Sequence, residues 1–190
     1  MPPSARSQPG GLESPGGSRG SHVARKLFLQ FRIGGDRYLL AADTVVQVLP
    51  PQPLKQVPGA PGWVAGILSY KGEPVPVIDM SQLALGQGAR QVTSTRTVLV
   101  AHRHNGQDPL RTLGLILEGV TETVHRNPAD FMPSGLDGLH ARYLGPVLQD
   151  EDGSMLQWVG VDELLSDEAC ALLFSAATAT STSIAQEAQP

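Results

Sequence analysis

The chain has 190 residues and a formal net charge of −4, with 41% hydrophobic and 17% charged residues. Its 21 glycines and 16 prolines exclude a coiled coil, because these two residues are the poorest helix formers, and its 14 basic residues provide no positive field for nucleic acid. One cysteine excludes an intramolecular disulfide, no segment approaches the ~18 apolar residues of a membrane helix, and no apolar leader begins the chain, so we expect a soluble cytoplasmic protein.

Both ends of the chain are predicted to be flexible tails. Residues 1–24 consist mainly of Pro, Gly, Ser and Arg, and residues 178–190 are mostly small and polar. Neither segment can bury enough apolar surface to offset the entropy of ordering it. The folded part is therefore expected between residues 26 and 177.

Between these tails the hydrophobic period is two rather than 3.6, which is typical of β-strands. A first hairpin is predicted around the turn Gly34-Gly35-Asp36, and a break between two strands is predicted at Glu118-Gly119. The predicted strands cover, in chain order, residues 27–33, 38–41, 44–49, 62–70, 75–80, 95–102, 113–117, 120–125, 143–148 and 155–161. About ten short strands with turn residues between them indicate small barrels or a sandwich rather than βαβ units.

Two helical segments are predicted within this β-rich chain. One covers about a turn from Ser81 to Leu85. The other begins near Ser166, whose hydroxyl can cap the first free amides, and Asp167 and Glu168 place negative charge where the helix end favours it. We expect the apolar side of this second helix to pack back onto the strands.

Signatures of catalysis are sparse. The segment 59–62 is glycine-rich but lacks the lysine and hydroxyl residue of a phosphate-binding loop, and no Gly-x-Ser-x-Gly elbow occurs. A strand would place His102 and His104 on one face, but a turn follows and no third metal ligand is evident, since Cys170 falls in an apolar helix stripe. We predict no cofactor and no metal; the alternative is a small metal-binding enzyme built on the two histidines and Asp79.

Residues 66–80, with the sequence Gly-Ile-Leu-Ser-Tyr-Lys-Gly-Glu-Pro-Val-Pro-Val-Ile-Asp-Met, resemble the segment that marks the CheW-like family of bacterial chemosensory adaptors. Four further segments resemble that family in the same order: an opening hairpin at 27–38, a Pro-Gly-x-Pro turn at 57–61, a Gly-apolar strand at 113–120, and a closing segment with a helix at 161–177. The resemblance therefore covers the whole predicted folded part.

The resemblance implies a mostly β fold with two five-stranded SH3-like β-barrel subdomains, a shared hydrophobic core and a C-terminal helix. The subdomains are expected at about 26–86 and 92–165, with exchange of strands or helix at their ends, and the helix at about 166–177. Family members are not enzymes. They bind the cytoplasmic hairpin tip of chemoreceptors and the regulatory domain of the histidine kinase CheA. This implies a stand-alone cytoplasmic adaptor at receptor arrays on the inner face of the membrane, without direct membrane insertion.

The resemblance also implies site residues. A cleft between the barrels would present apolar side chains to a receptor helix hairpin, with polar residues tuning the contact. By family position, the receptor- and kinase-binding residues are Val45, Gln47, Val48, Lys71 and Val98, and the structural turn residues are Pro61, Gly66 and Gly72. The alternative for each valine is a place in the core, and for Lys71 a solvated turn position.

Several residues depart from the family pattern. Lys71 stands where arginine is usual, which keeps the charge but loses the planar bidentate fork. Gln47 stands where many members have Glu, and Ser69-Tyr70 replaces Asn-Leu. These departures predict a divergent adaptor in a dedicated pathway, for example one for surface sensing. An array-structural protein that binds receptors or other adaptors without a kinase is the alternative.

Overall fold

The computed structural model describes residues 25–104, 109–135 and 141–174. The strands are β1 (Lys26–Ile33), β2 (Asp36–Ala41), β3 (Val45–Leu49), β4 (Val64–Tyr70), β5 (Glu73–Asp79), β6 (Arg96–His102), β7 (Arg111–Arg126), β8 (Leu144–Gln149) and β9 (Met155–Val159). Helix α1 is Met80–Leu85, helix α2 covers residues 167–174, and 3-10 turns lie at Ala42–Thr44 and Pro128–Asp130. The predicted tails, 1–24 and 178–190, and the expected end of the last helix, 175–177, lie outside the described residues.

The described strands form two five-stranded units because β7 belongs to both. One unit, the central barrel, contains β3, β4, β5, β6 and the first half of β7. The other, the terminal barrel, contains β1, β2, β8, β9 and the second half of β7. The predicted mostly β architecture with two five-stranded barrels is therefore confirmed.

Each barrel is closed by a short backbone bridge from the segment that follows one of its strands. In the central barrel the amide and carbonyl of Lys55 bond with those of Ile67, at 2.9 and 2.8 Å. In the terminal barrel Met132 and Val147 exchange the same pair of bonds, both at 2.8 Å. These bridges satisfy backbone groups that an open sheet edge would leave unpaired.

The pairing of the strands corrects the predicted division into contiguous subdomains at about 26–86 and 92–165. The hairpin of β1 and β2 pairs with β7 and β9, so the start of the chain belongs to the same barrel as its end. The reason is that hydrophobic alternation assigns a strand to a sheet face but does not select its neighbour.

The described residues form three hydrophobic clusters: one in each barrel and one between them, which we call the shared core. Adjacent residues of one strand face different clusters. Phe28 fills the terminal barrel while Leu29 faces the shared core, and Val77 fills the central barrel while Ile78 faces the shared core. Both faces of these strands are buried, each large apolar side chain contributing about 1.5–3 kcal/mol. The two barrels are therefore packed against each other through a common interior.

The short helices begin where the sequence predicts. The carboxylate of Asp79 accepts a hydrogen bond from the amide of Gln82 at 3.0 Å and so caps α1. The hydroxyl of Ser166 accepts one from the amide of Ala169 at 3.2 Å at the start of α2. Within the described residues, neither helix has the length and apolar character needed to cross a bilayer.

The predicted break at Glu118-Gly119 is a bend inside β7 rather than the end of a strand. Gly119 has a φ of +62°, which favours glycine, and a Cβ there would lie 3.1 Å from the side chain of Arg32. The pairing of β7 changes at this point, from β6 up to Leu117 to β1 from Glu118 onward. The bend thus directs one strand from the central barrel into the terminal barrel.

A buried carboxylate lies at this bend. The side chain of Glu118, only 6% exposed, accepts hydrogen bonds from the Ser81 hydroxyl at 3.0 Å and from the Arg90 backbone and guanidinium at 3.1 and 2.8 Å. Burial raises the pKa of Glu118, but the hydrogen bonds from Arg90 and Ser81 together outweigh burial, so the pKa lies below its usual value. Glu118 is therefore charged in the folded protein at neutral pH.

Replacing Glu118 with glutamine is expected to lower the free energy of unfolding at pH 7 by about 1–3 kcal/mol, because it weakens charge-assisted bonds in a buried site. A carboxyl whose pKa is depressed by folding stabilises the protein above its unfolded pKa, and this contribution is lost as the pH falls through the folded pKa. Glu118→Gln should therefore flatten the pH dependence of stability below about pH 4.5.

Urea unfolding between about pH 3 and pH 7 measures this effect. The control is Glu73→Gln, which changes an exposed carboxylate at the start of β5 and should leave the unfolding free energy at pH 7 within about 0.5 kcal/mol of the wild type. Equal pH dependence for Glu118→Gln and the wild type would contradict the assignment.

Candidate interaction surface

Strand β3 forms an edge of the central barrel, since it pairs only with β6 among the described strands. Val46 and Val48 on this strand are 50% and 42% exposed, whereas Val45 packs partly against the shared core. Isolated exposed apolar residues are ordinary, but two on the same edge strand provide a small apolar surface. We refer to β3, with Val46 and Val48, as the β3 edge.

The β3 edge lies at the margin of the shared core. Val48 is paired with Val98 of β6, and directly paired residues lie on the same face of a sheet. Val98 faces the shared core and has no exposed surface. Val98 therefore takes the alternative place expected for it, in the core, because the side chains of the shared core cover the face of β6 on which it lies.

The predicted polar residues meet through a residue that the sequence interpretation did not select. The Tyr70 hydroxyl donates a hydrogen bond to Oε1 of Gln47, and the ammonium of Lys71 lies 5.1 Å from the centre of the Tyr70 ring. Tyr70 therefore connects Lys71, in the turn after β4, to Gln47 on β3. An exposed contact between a cation and an aromatic ring contributes about 0.5–1 kcal/mol.

The turn that carries Lys71 has an unusual backbone. Lys71 is the one described non-glycine residue with a positive φ, +52°, and Gly72 follows with a φ of +86°. Two central residues with positive φ form the type I′ geometry that matches the twist of a two-residue hairpin. This geometry holds Lys71 at the tip of the hairpin between β4 and β5.

Pro61 and Gly66, the other two predicted turn residues, lie in different environments from Gly72. The carbonyl of Pro61 accepts a hydrogen bond from the amide of Val64 at 2.9 Å, so Pro61 begins the turn that leads into β4. Gly66 lies within β4 and not at a turn, with a φ of +144°, and a Cβ there would lie 2.6 Å from the carbonyl oxygen of Lys55. Gly66 is required by the close approach of the closing bridge, which the sequence pattern alone could not reveal.

Sequence reasoning left Val46 and Tyr70 out of the selected site. Val46 lies at a register shift between Val45 and Gln47, so simple alternation gives the wrong orientation there. Tyr70 appeared only as a departure from the family pattern, although an aromatic residue directly before a hairpin turn is well placed to contact a neighbouring strand.

The alternative enzyme hypothesis is built on Asp79, His102 and His104. Asp79 does not belong to the cluster that contains the two histidines. Both carboxylate oxygens of Asp79 are engaged in holding backbone: one caps α1 and the other accepts from the amide of Ala89 at 2.8 Å. His102 and His104 instead lie beside Cys170, with one ligand atom from each within 4.8 Å of the others. Burial lowers the pKa of His102, while its bond to the Val161 carbonyl acts in the opposite direction.

Two five-stranded barrels on a shared core, with Val46 and Val48 exposed on the β3 edge and Lys71 in a tight turn, define a compact β module. A family model for the CheW-like domain matches residues 27–169. The chain belongs to the CheW-like domain family.

Similar proteins are consistent with this assignment. The chain is 26% identical over 106 residues to a chemotaxis protein CheW from Rhizobium meliloti (strain 1021), covering 56% of this chain and 64% of the relative. It is 28% identical over 107 residues to a chemotaxis protein CheW from Helicobacter pylori (strain ATCC 700392 / 26695), covering 56% of this chain and 61% of that relative. Each alignment thus spans less than two thirds of the relative.

The fold is similar to the crystal structure of the scaffolding protein TtCheW from Thermoanaerobacter tengcongensis. The TM-score is 0.65 at 21% sequence identity, and the similarity covers 78% of this chain and 93% of that chain. This likeness supports the fold described above.

Lys71→Asn is expected to raise the free energy of unfolding by up to about 1 kcal/mol, because asparagine tolerates a left-handed backbone and Asn-Gly is a favoured type I′ pair. Urea unfolding measures the change. The control is Lys55→Asn, which alters an exposed lysine in the extended closing bridge and should not stabilise. A clear loss of stability in Lys71→Asn would mean that the contact with Tyr70 outweighs backbone strain.

Proposed function

We propose that this protein is a non-catalytic adaptor that couples the cytoplasmic tips of chemoreceptors to a CheA-type histidine kinase in a chemosensory array at the inner face of the membrane. The observation that carries this proposal is the CheW-like family match across residues 27–169. The names of the two relatives, both chemotaxis proteins, and the scaffolding description of TtCheW support it.

The receptor contact is proposed at the β3 edge. A receptor tip is a helical hairpin, and an amphipathic helix binds by laying apolar side chains against an apolar surface. Val46 and Val48 supply such a surface, and Val45 supports it from the partly buried side. The area is small, so each contact has modest affinity, and repetition across an array supplies the remaining stability.

Gln47 and Lys71 are proposed to set the polar part of the same contact. Both are exposed and are linked through Tyr70, so the lysine charge has a defined position relative to the apolar edge. A point charge on lysine favours an acidic partner without requiring the planar pairing of an arginine. Together with the neutral Gln47, this supports a receptor and kinase dedicated to this adaptor, as in a non-flagellar, surface-sensing pathway.

The kinase is proposed to bind a separate edge or end of one barrel through its own barrel-like regulatory domain. The adaptor would then transmit the receptor's state through a rigid body, since the shared core joins both barrels. A protein that bound receptors and other adaptors but not the kinase would instead be an array-structural component.

Val48→Asp is expected to weaken binding to the cognate receptor's cytoplasmic fragment by roughly tenfold or more, because it places a charge on the apolar edge. Folding should be retained, since the side chain is 42% exposed. Binding is measured by titration of the purified fragment. Met155→Asp changes an apolar residue of similar exposure, 51%, on the terminal barrel and should bind like the wild type. Equal weakening by both variants would remove the β3 edge from the receptor contact.

Lys71→Glu is expected to abolish receptor-dependent control of the kinase while lowering the unfolding free energy by no more than about 1 kcal/mol, because the turn is exposed and the contact with the Tyr70 ring is the interaction lost. Kinase autophosphorylation in reconstituted receptor–adaptor–kinase assemblies measures this. The matched control is Arg142→Glu, another exposed cation, which should preserve control. Normal receptor binding and kinase control by Lys71→Glu would contradict the role given to Lys71.

A further inference from the structure

The end of strand β6 and helix α2 bring three potential metal-binding side chains together. His102 is the last residue of β6, His104 follows two residues later, and Cys170 lies on α2. One ligand atom from each of the three lies within 4.8 Å of the others. The side chain of His104 is 13% exposed, whereas His102 is almost fully buried, so the cluster reaches solvent mainly from the His104 side.

The hydrogen bonds of the two histidines determine which ring nitrogens are available. Nδ1 of His102 lies 2.9 Å from the Val161 carbonyl oxygen, which can only accept, so Nδ1 carries the proton and Nε2 keeps its lone pair. Nε2 of His104 lies 2.5 Å from a carboxylate oxygen of Asp167, so this nitrogen donates and Nδ1 keeps its lone pair. Each histidine therefore has one nitrogen that donates to the protein and one that keeps a lone pair. The lone pair of His102 accepts a hydrogen bond from the Cys170 thiol at 3.6 Å, and a cation bound between them would replace that thiol proton.

The available nitrogen of His104 is buried without a partner. Within the described residues, its Nδ1 is the one buried side-chain nitrogen or oxygen with no hydrogen bond. Such an unpaired acceptor costs about 1–3 kcal/mol, and polar groups in this position usually have a ligand, ion or water. The unpaired nitrogen therefore points to an occupant at this cluster.

One ligand separation and the outer hydrogen bonds fit zinc, whereas any pair of ligand atoms near the 4.8 Å limit of the cluster must move closer, because two zinc–ligand bonds span at most about 4.4 Å. A tetrahedral Zn²⁺ with ligands at about 2.1 Å for nitrogen and 2.3 Å for sulfur separates those two atoms by about 3.6 Å. The observed distance from Nε2 of His102 to Sγ of Cys170 is 3.6 Å. Zinc-binding histidines commonly donate their second N–H to a backbone carbonyl or a carboxylate, and Val161 and Asp167 provide one of each.

We propose that Nε2 of His102, Nδ1 of His104 and the thiolate of Cys170 bind one Zn²⁺, with the fourth position taken by water or an external donor on the open side. The thiol loses its proton to solvent when the metal binds. The ion connects the end of β6 to α2, whose Leu173 and Phe174 pack against the shared core. Its role is structural: it fastens the last described helix to the double barrel.

The test uses the purified full chain, freed of metal by a chelator and titrated with Zn²⁺ against a chromophoric competitor. One equivalent should bind, and Co²⁺ in its place should produce a thiolate-to-cobalt charge-transfer band and the visible bands of tetrahedral cobalt. Cys170→Ser should eliminate the charge-transfer band and weaken Zn²⁺ binding at least tenfold. His125→Ala, which changes an exposed histidine on β7, should leave both unchanged.

His104→Ala keeps the test decisive if Cys170→Ser fails to fold. This substitution removes the buried ring nitrogen that has no hydrogen-bond partner, so the metal-free protein should remain folded. The affinity for Zn²⁺ should fall at least tenfold. Added Zn²⁺ should also raise the melting temperature of the wild type but not of His104→Ala. Less than one equivalent of binding, or equal binding by wild type and all variants, would overturn the proposal. Neither result bears on receptor or kinase binding, which depends on the β3 edge and Lys71.

Discussion

The fold depends on one strand that serves two barrels. β7 pairs with β6 and β5 over its first half and with β1 over its second half, and it bends at Glu118 and Gly119. The bend requires a positive φ at Gly119, and it places Glu118 where Ser81 and Arg90 must satisfy a buried charge. Because the same strand contributes to both barrels, neither barrel can be completed without the other.

The shared strand explains why the molecule has a rigid interior and few distinctive surface features. Because these strands bury both faces, the edges and turns of the described barrels are the surfaces on which we propose recognition. The β3 edge and the turn containing Lys71 are such places, and Tyr70 joins them. The proposed binding surface, built from a strand edge and a tight turn, is held in position by the barrel beneath it.

The cluster at His102, His104 and Cys170 lies in a different part of the architecture. It connects the end of a central-barrel strand to α2, near the Val161 segment that follows the terminal barrel's last strand. The two proposed sites therefore lie in different places. The apolar and cationic residues of the proposed receptor contact are at the β3 edge and the turn containing Lys71, and the proposed metal ligands are at the end of β6 and on α2. A change at one of them can be measured without disturbing the other, because no residue is common to both.

The sequence by itself determined the strand-rich class, the hairpin at Gly34, the capped start of α2 and the family, because these follow from local periodicity, turn chemistry and short motifs. Tertiary structure alone decided that the first hairpin joins the last strands, that Val98 is buried while Val46 is exposed, and that Cys170 lies beside two histidines more than sixty residues away. The physical reason is that alternation tells which residues are apolar and which share a face, whereas the choice of neighbouring strand and the contacts of a helix with a distant loop depend on packing across the whole chain.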